Sequence, residues 1–176
     1  MTMQVAKSFL RPVAELTVPA TTGEFIFRDH FCAGRSSLPS GPIVSVDQNF
    51  VKYFSPLIEP KHNEQRVVVH EVVCGASELQ LIDELGGCAV VNLTTMCYLA
   101  QITETSDGAR ALRLNSDLFA INRNANLCFV RDHENVVRAV RVSWDRGWCL
   151  KANAIDEPGI WSVGIRVLSL ADVSMV

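Results

Sequence analysis

The sequence predicts an α+β protein with a predominantly antiparallel C-terminal sheet and two or three short helices packed on one side. Between residues 126 and 170, apolar and polar residues alternate in runs that turn residues separate, and all three tryptophans lie there. Upstream, segments with helical spacing begin after capping residues. The 176 residues are expected to form a single domain, with a mixed α/β region over 1–122 and an antiparallel β-meander over 123–176.

The first forty residues predict extended structure. Pro12 and Pro19 disfavour a helix in the arm over 1–23, and apolar residues alternate there as in a strand. Glu24–Phe31 is a second predicted strand. Gly34–Pro42 is dense in turn residues, lacks periodicity and is predicted to be a mobile loop.

Three helices are predicted in the middle of the chain. Asp47 is placed to cap a helix that runs through Phe54, and Ser77 to cap one that runs through Leu85. A third helix is predicted over 92–102, because its apolar residues recur on one helical stripe.

The C-terminal region predicts consecutive hairpins. Ala109–Leu114 and Leu118–Ile121 are short predicted strands that precede it. Asp132–Asn135 then links two alternating runs, and Asp145–Gly147 fits a three-residue hairpin loop in which the glycine closes the turn. A bulge at that turn would shift the register by one residue; without it, the predicted pairs are Trp144 with Trp148, Ser143 with Cys149, Val142 with Leu150 and Arg141 with Lys151.

The last predicted strand, Trp161–Leu170, follows a proline-glycine turn. The sheet then has one apolar side, rich in Trp and Val, and one polar side. The polar side is predicted to collect Arg141, Ser143, Lys151, Asn153 and Arg166. Two interpretations remain open for it: a binding surface, or a solvated face whose basic residues discourage edge pairing.

A cysteine and a histidine provide the candidate catalytic pair. His30 and Cys32 would share a face of the predicted strand, and a thiolate beside an imidazole is the minimal activated nucleophile. Side chains two apart on a strand do not usually meet, so a partner such as His62 or His133 is an alternative. The structural alternative is a half-buried cysteine beside a surface histidine.

Two other constellations predict structure rather than chemistry. His70-Glu71-Val-Val-Cys74 resembles a zinc motif, but the valine-rich context of Arg66–Cys74 favours a strand, in which residues four apart lie ~13 Å from each other. No metal and no cofactor are therefore expected. Asp132-His133-Glu134 falls on a predicted turn, where adjacent side chains splay into solvent, and is interpreted as hairpin chemistry.

Composition points to a cytoplasmic protein. The six cysteines are scattered without a CxxC spacing, which favours reduced thiols, and no apolar run approaches the ~18 residues that span a bilayer. Leaderless secretion or a viral capsid would leave the same signature. Residues 123–166 carry seven Lys and Arg against five Asp and Glu, too small an excess to predict nucleic-acid binding. Neither nucleic acid nor membrane is an expected partner.

Several segments resemble a known family. Phe25–Phe31, Ile82–Gly87, Asn126–Arg141 and Trp144–Leu168 resemble a family of small, uncharacterised bacterial proteins found mostly in candidate-phylum genomes. The resemblance spans most of the chain and implies one integrated domain. It supplies no catalytic residues.

The run Trp161-Ser-Val-Gly-Ile-Arg-Val-Leu is similar to the close of C-type-lectin-like modules, including variable proteins diversified by retroelements. In those proteins a sheet face displays exchangeable side chains for binding. The similarity implies that the displayed positions here are Arg141, Ser143, Lys151, Asn153 and Ser162. The long lectin loop and the disulfides of that fold are missing from this sequence.

The leading functional hypothesis is a non-enzymatic binding or interaction module that presents the polar sheet face to a protein or small ligand. One alternative is a cysteine-nucleophile enzyme using Cys32 with a histidine. Another is a structural component of an assembly or particle, and a homo-oligomer is compatible with each of the three.

Overall fold

The computed structural model describes residues 8–31, 37–38, 41–102, 125–145, 147–154 and 159–171. The elements in these ranges are, in chain order, β1 (Leu10–Val18), β2 (Phe25–Ile26), α1 (Phe27–His30), β3 (Ser37–Leu38), β4 (Gly41–Val46), α2 (Gln48–Phe54), β5 (Ile58–Glu59), β6 (Gln65–Val72), α3 (Glu78–Leu85), a 3-10 turn (Gly86–Cys88), α4 (Leu93–Ile102), β7 (Asn126–Arg131), β8 (Val137–Trp144), β9 (Trp148–Ala154) and β10 (Arg166–Leu170).

The main sheet is mixed. Its strand order is β1-β6-β10-β7-β8-β9-β4-β3, and β2 pairs with β5 in a separate small sheet. The pairs β10–β7 and β4–β9 are parallel, and the other pairs of the main sheet are antiparallel. The α+β class agrees with the prediction, but a predominantly antiparallel sheet does not. The reason is that β10 returns to the far side of β7 instead of extending a meander beyond β9.

Helices cover both faces of the sheet. On one face, which we call the α4 face, Cys128, Val140 and Leu168 share an apolar cluster with residues of α1, α2 and α4. On the other, the α3 face, Leu127 and Phe129 share a second cluster with α3. The prediction that the helices pack on one side is therefore wrong. A strand such as β7, buried from Asn126 to Val130, needs cover on both sides because successive side chains alternate between them.

The three predicted helices form close to their predicted bounds. At the start of α2, the Asp47 carboxylate accepts a hydrogen bond from the Phe50 backbone N–H at 2.6 Å. At the start of α3, Ser77 and Gln80 form a reciprocal capping box. The third predicted helix, 92–102, is α4. These caps depend on residues three apart, which is why the sequence locates them.

The predicted strand Glu24–Phe31 is wrong for most of its length. Only β2 is extended, and α1 follows it as a single helical turn in which the Phe31 backbone N–H donates to the Phe27 carbonyl at 3.0 Å. The turn brings Phe27 and Phe31 to one side, where both contact the ring of Phe50. Aromatic burial thus overrides the local strand pattern.

Two other local predictions differ from the structure, and a third falls outside its described residues. Within the predicted loop Gly34–Pro42, β3 pairs antiparallel with the start of β4, so its described residues are in strands. The predicted last strand is shorter, since Trp161 makes only an isolated bridge to Ala76 before β10 begins. The strands predicted over 109–114 and 118–121 lie outside the described residues.

The β7–β8 turn confirms that Asp132-His133-Glu134 belongs to a hairpin, but the predicted splaying of its side chains into solvent is wrong for Asp132, which is buried. The buried Asp132 carboxylate accepts hydrogen bonds from the backbone N–H groups of Glu134 and Val136, both at 2.9 Å. It also accepts one from Arg138 Nε at 2.7 Å. The turn is therefore organised around one buried negative charge.

A second buried carboxylate joins the small sheet to α4. Glu59 of β5 accepts hydrogen bonds from the backbone N–H groups of Leu93 and Thr94, at 2.6 and 2.8 Å. The Thr94 hydroxyl donates a third at 2.6 Å. The carboxylate thus satisfies N–H groups that the first turn of a helix leaves free, and its charge complements the positive end of the helix dipole.

Candidate functional site

The β8–β9 hairpin displays polar side chains on the α3 face of the sheet. All four predicted cross-strand pairs of this hairpin are confirmed, and Asn153 pairs with Ala139. Since side chains alternate along a strand, Arg141 and Ser143 share a side with Lys151 and Asn153. We call these four residues the polar face.

The polar face lies where the helical cover of the sheet ends. Leu127 on β7 is fully buried and shares a cluster with Leu81 of α3, whereas its cross-strand partner Arg141 is exposed. Farther out, Ser45 of β4 pairs with Cys149 and is also exposed. The α3 face therefore has a covered half, which extends over β6, β10, β7 and the Val137–Ala139 end of β8, and an open half around Arg141, Lys151 and Ser45.

Two like charges stand opposite each other on the open half. Arg141 and Lys151 are both exposed and are direct cross-strand partners, a relation that puts Cβ atoms ~4.5–5.5 Å apart. Within the part of the chain that the structure describes, neither side chain forms an ion pair or a hydrogen bond. Like charges in this position destabilise a sheet.

Arg166 does not join the polar face. It pairs with Asn126 on β7, while Arg141 pairs with the next residue, Leu127, so the two arginines point to opposite sides of the sheet. Arg166 Nη1 donates a hydrogen bond of 2.5 Å to the Glu71 carboxylate. That hydrogen bond, with a second one from Arg11, holds the pKa of Glu71 below its usual value.

Ser162 is exposed and lies outside the strands. It follows the isolated bridge of Trp161 and precedes β10. The predicted set of binding residues is thus divided: the hairpin holds four of them together, Ser162 lies in the segment before β10, and Arg166 is the first residue of β10.

The candidate catalytic pair is only half described. Cys32 lies outside the described residues. His30 ends α1, so its predicted place on a strand is wrong. The alternative partners both bind backbone carbonyl groups through Nδ1, His62 that of Asn63 and His133 that of Tyr53, each at 2.7 Å. The cysteine-nucleophile hypothesis stays a prediction of the sequence.

His30 lines a cleft that the sequence does not predict. Its ring stacks on Phe25, with centroids 4.3 Å apart and planes 7° from parallel. Burial lowers the pKa of His30 below the ordinary value of 6.5, and Asp29 partly opposes the shift. Thr94 and Tyr98 of α4 line the same cleft. Nothing in the local sequence predicts that α1 and α4 line one cleft, because the two helices are more than sixty residues apart.

In the described ranges, the zinc-like motif begins in a strand and the cysteines are free thiols. His70 and Glu71 lie in β6, as the strand prediction required. The described cysteines are free thiols, and burial raises the pKa of Cys128 far above its ordinary value, which makes it unreactive. Among the described residues, no three His, Cys, Asp or Glu side chains are grouped closely enough to hold a metal ion.

Comparison of the chain with protein-family models, with curated proteins and with solved structures returned no match. The resemblances given for Phe25–Phe31 and for the C-terminal strands remain expectations. In the described ranges, none of the helices has the length and apolar character needed to cross a membrane.

Proposed function

We propose that this protein is a non-enzymatic binding module whose polar face binds an acidic segment of a protein partner. The observation that supports it is the cross-strand pair of exposed cations, Arg141 and Lys151, without an acidic partner among the described residues. A bound carboxylate between the two would offset their mutual repulsion and gain a charge-assisted hydrogen bond from each.

The neighbouring side chains suit the same partner. Ser143 and Asn153 lie on the same side of the hairpin as the cation pair and are half-buried. Both can donate hydrogen bonds to carboxylate or carbonyl oxygens. A rigid hairpin that carries two cations and two neutral donors matches an extended segment containing Asp or Glu.

The number of charges favours protein over nucleic acid. Nucleic-acid surfaces neutralise many phosphates at once, with a basic stripe and aromatic side chains among the contacts. The described part of the open half offers two cations, Arg141 and Lys151, and both Trp144 and Trp148 lie on the α4 face, which follows from their register with Val142 and Leu150. The pattern thus fits a short acidic peptide segment better than a nucleic acid.

A peptide titration tests the proposal. At low ionic strength, a fluorescently labelled octaglutamate peptide is expected to bind the protein, and the double variant Arg141→Ala/Lys151→Ala to bind it about tenfold more weakly. Each exposed ion pair contributes up to about 1 kcal/mol, and about 1.4 kcal/mol corresponds to tenfold in affinity. Fluorescence anisotropy measures both constants.

The matched control removes the same charge elsewhere. Lys52→Ala/Lys61→Ala also deletes two exposed cations, and its affinity for octaglutamate is expected to stay within about twofold of the original. Equal weakening in both double variants would mean that only net charge matters, and unchanged affinity in Arg141→Ala/Lys151→Ala would contradict the proposal.

The other two hypotheses predict different results. A structural component of an assembly would elute as a large species in size-exclusion chromatography, which a monomer peak would contradict. A thiol enzyme would show a Cys32 that reacts with an alkylating probe faster than free cysteine does.

A further inference from the structure

The cleft beside His30 is separate from the polar face. It lies where the end of β1, the β2–α1 junction and α4 meet, and its volume is about 240 Å³. Cys97 of α4 lies on the α4 face of the sheet, whereas the polar face is on the α3 face. A ligand here and a partner on the hairpin would therefore not compete for the same surface.

The walls of the cleft, as far as the structure describes them, are mainly apolar. Val18 and Phe25 are buried core residues that form part of the lining, together with Pro19 and Ala20 at the end of β1. None of the described lining residues is Asp, Glu, Lys or Arg. Small-molecule sites combine such walls with a few fixed polar groups.

Two polar groups in the lining already have partners. The Thr94 hydroxyl donates to the Glu59 carboxylate at 2.6 Å. The Thr21 hydroxyl oxygen accepts a hydrogen bond from the His62 backbone N–H at 2.9 Å. Both contacts stabilise the protein itself.

Two other polar groups in the lining are available to a ligand. Neither the ring nitrogens of His30 nor the hydroxyl of Tyr98 forms a hydrogen bond to any residue that the structure describes. The His30 ring is held by its stacking on Phe25. In its neutral form it offers one donor and one acceptor, and the tyrosine hydroxyl offers both.

We propose that this cleft is a binding site for a small, uncharged, single-ring aromatic compound that carries a hydroxyl or amide group. The ring packs against the apolar walls, and its polar substituent bonds with His30 and Tyr98. The volume sets the size, since pockets that enclose drug-sized ligands are larger, about 300–1,000 Å³. The described lining holds no charged side chain, so a ligand charge would lose part of its water without gaining an ionic partner, which favours a neutral ligand.

Phenol is the probe that tests this site. Titrated into the protein and followed by NMR, it is expected to shift signals of residues at the cleft, with a dissociation constant on the order of millimolar for so small a ligand. Benzoate, its charged analogue, is expected to bind at least about tenfold more weakly, because its carboxylate would lose water without gaining a cation.

Conservative variants test the two polar groups. His30→Phe keeps an aromatic ring to stack on Phe25, and Tyr98→Phe removes one oxygen. Each is expected to weaken phenol binding about fivefold through loss of one hydrogen bond. The circular dichroism spectrum and the unfolding midpoint verify that both variants remain folded.

A variant that fills the cleft and a control variant at a nearby position complete the test. Ala20→Trp places a large ring at the exposed rim and is expected to abolish phenol binding, whereas Thr22→Trp, exposed and outside the lining, leaves it unchanged. Binding that persists in Ala20→Trp, or that is unaffected by both His30→Phe and Tyr98→Phe, would overturn the proposal. So would benzoate binding as tightly as phenol.

Discussion

Replacing Glu59 with alanine is expected to lower the free energy of unfolding by about 3 kcal/mol. The carboxylate is buried and accepts three hydrogen bonds, two of them from the first backbone N–H groups of α4. Its removal leaves the N–H groups of Leu93 and Thr94 buried without acceptors and takes a negative charge from the positive end of a helix dipole. Urea unfolding at pH 7 measures the difference.

Two further variants distinguish the stability contribution of the Glu59 carboxylate from that of its surroundings. Glu59→Gln keeps one acceptor oxygen and the side-chain volume, and is expected to lose about half as much stability as the alanine variant. Glu64→Ala removes an exposed acid from the connection between β5 and β6 and is expected to change the free energy of unfolding by less than about 0.5 kcal/mol. If Glu59→Ala lowered the free energy of unfolding no more than Glu64→Ala does, the hydrogen bonds from Glu59 to α4 would not stabilise the fold.

Asp132→Ala is expected to cost about 3 kcal/mol of unfolding free energy. Its carboxylate is fully inaccessible and is paired with Arg138, whose side chain is 13% exposed. The change leaves this nearly buried guanidinium without its counter-ion, in contact with the Tyr53 ring 3.9 Å away. The two backbone N–H groups of the turn also lose their acceptor. Thermal and urea unfolding measure the loss, with the exposed neighbour Glu134→Ala as the control.

The contribution of Asp132 to the free energy of unfolding is expected to decrease as the pH falls. Although burial alone would raise the pKa of this carboxyl, hydrogen bonds from Val136, Arg138 and Glu134 bring it below the ordinary 3.8. A depressed pKa gives stability that is fully present above the unfolded value and is lost as pH falls through the folded value. The stability difference between the protein and Asp132→Asn is thus expected to be constant from pH 7 to about 5 and to shrink below about pH 4. A difference that grew on acidification would contradict this assignment.

The features that sequence reasoning located are those decided by neighbours in the chain. Asp47 and Ser77 mark the starts of α2 and α3 because a cap bonds a backbone group three residues ahead. The register of β8 and β9 is equally local, since the loop ending at Gly147 sets which residues face each other.

The features that it missed depend on distant partners. Alternation tells which side of a strand is buried but not which strand lies beside it, so the parallel pairs β10–β7 and β4–β9 had no local signal. The cap that Glu59 places on α4 joins residues 34 apart. The cleft beside His30 likewise needs three separate elements to meet.

The candidate site shows the same division between local and distant contacts. Four polar-face residues came from one hairpin, whose alternation and turn are readable in sequence. Arg166 was misplaced because its side depends on the register of β10 against β7, which the sequence leaves undefined. The part of the candidate site that the sequence located is thus the part that a local turn organises.

Under the proposed function, binding and stability place opposite demands on the charges of the polar face. The fold tolerates Arg141 opposite Lys151 although an oppositely charged pair would stabilise the sheet by roughly 0.2–1 kcal/mol. If the pair serves an acidic partner, a change that improves the fold here should impair binding.

The octaglutamate affinity of Lys151→Glu is therefore the most direct test of the proposed function. The substitution creates an opposite-charge pair with Arg141, so the free energy of unfolding is expected to rise by about 0.5 kcal/mol while the affinity falls by at least about tenfold. Lys61→Glu changes the net charge equally at another exposed position and is expected to weaken binding by no more than about twofold. Affinity retained in Lys151→Glu, or lost equally in Lys61→Glu, would contradict a binding role for the polar face.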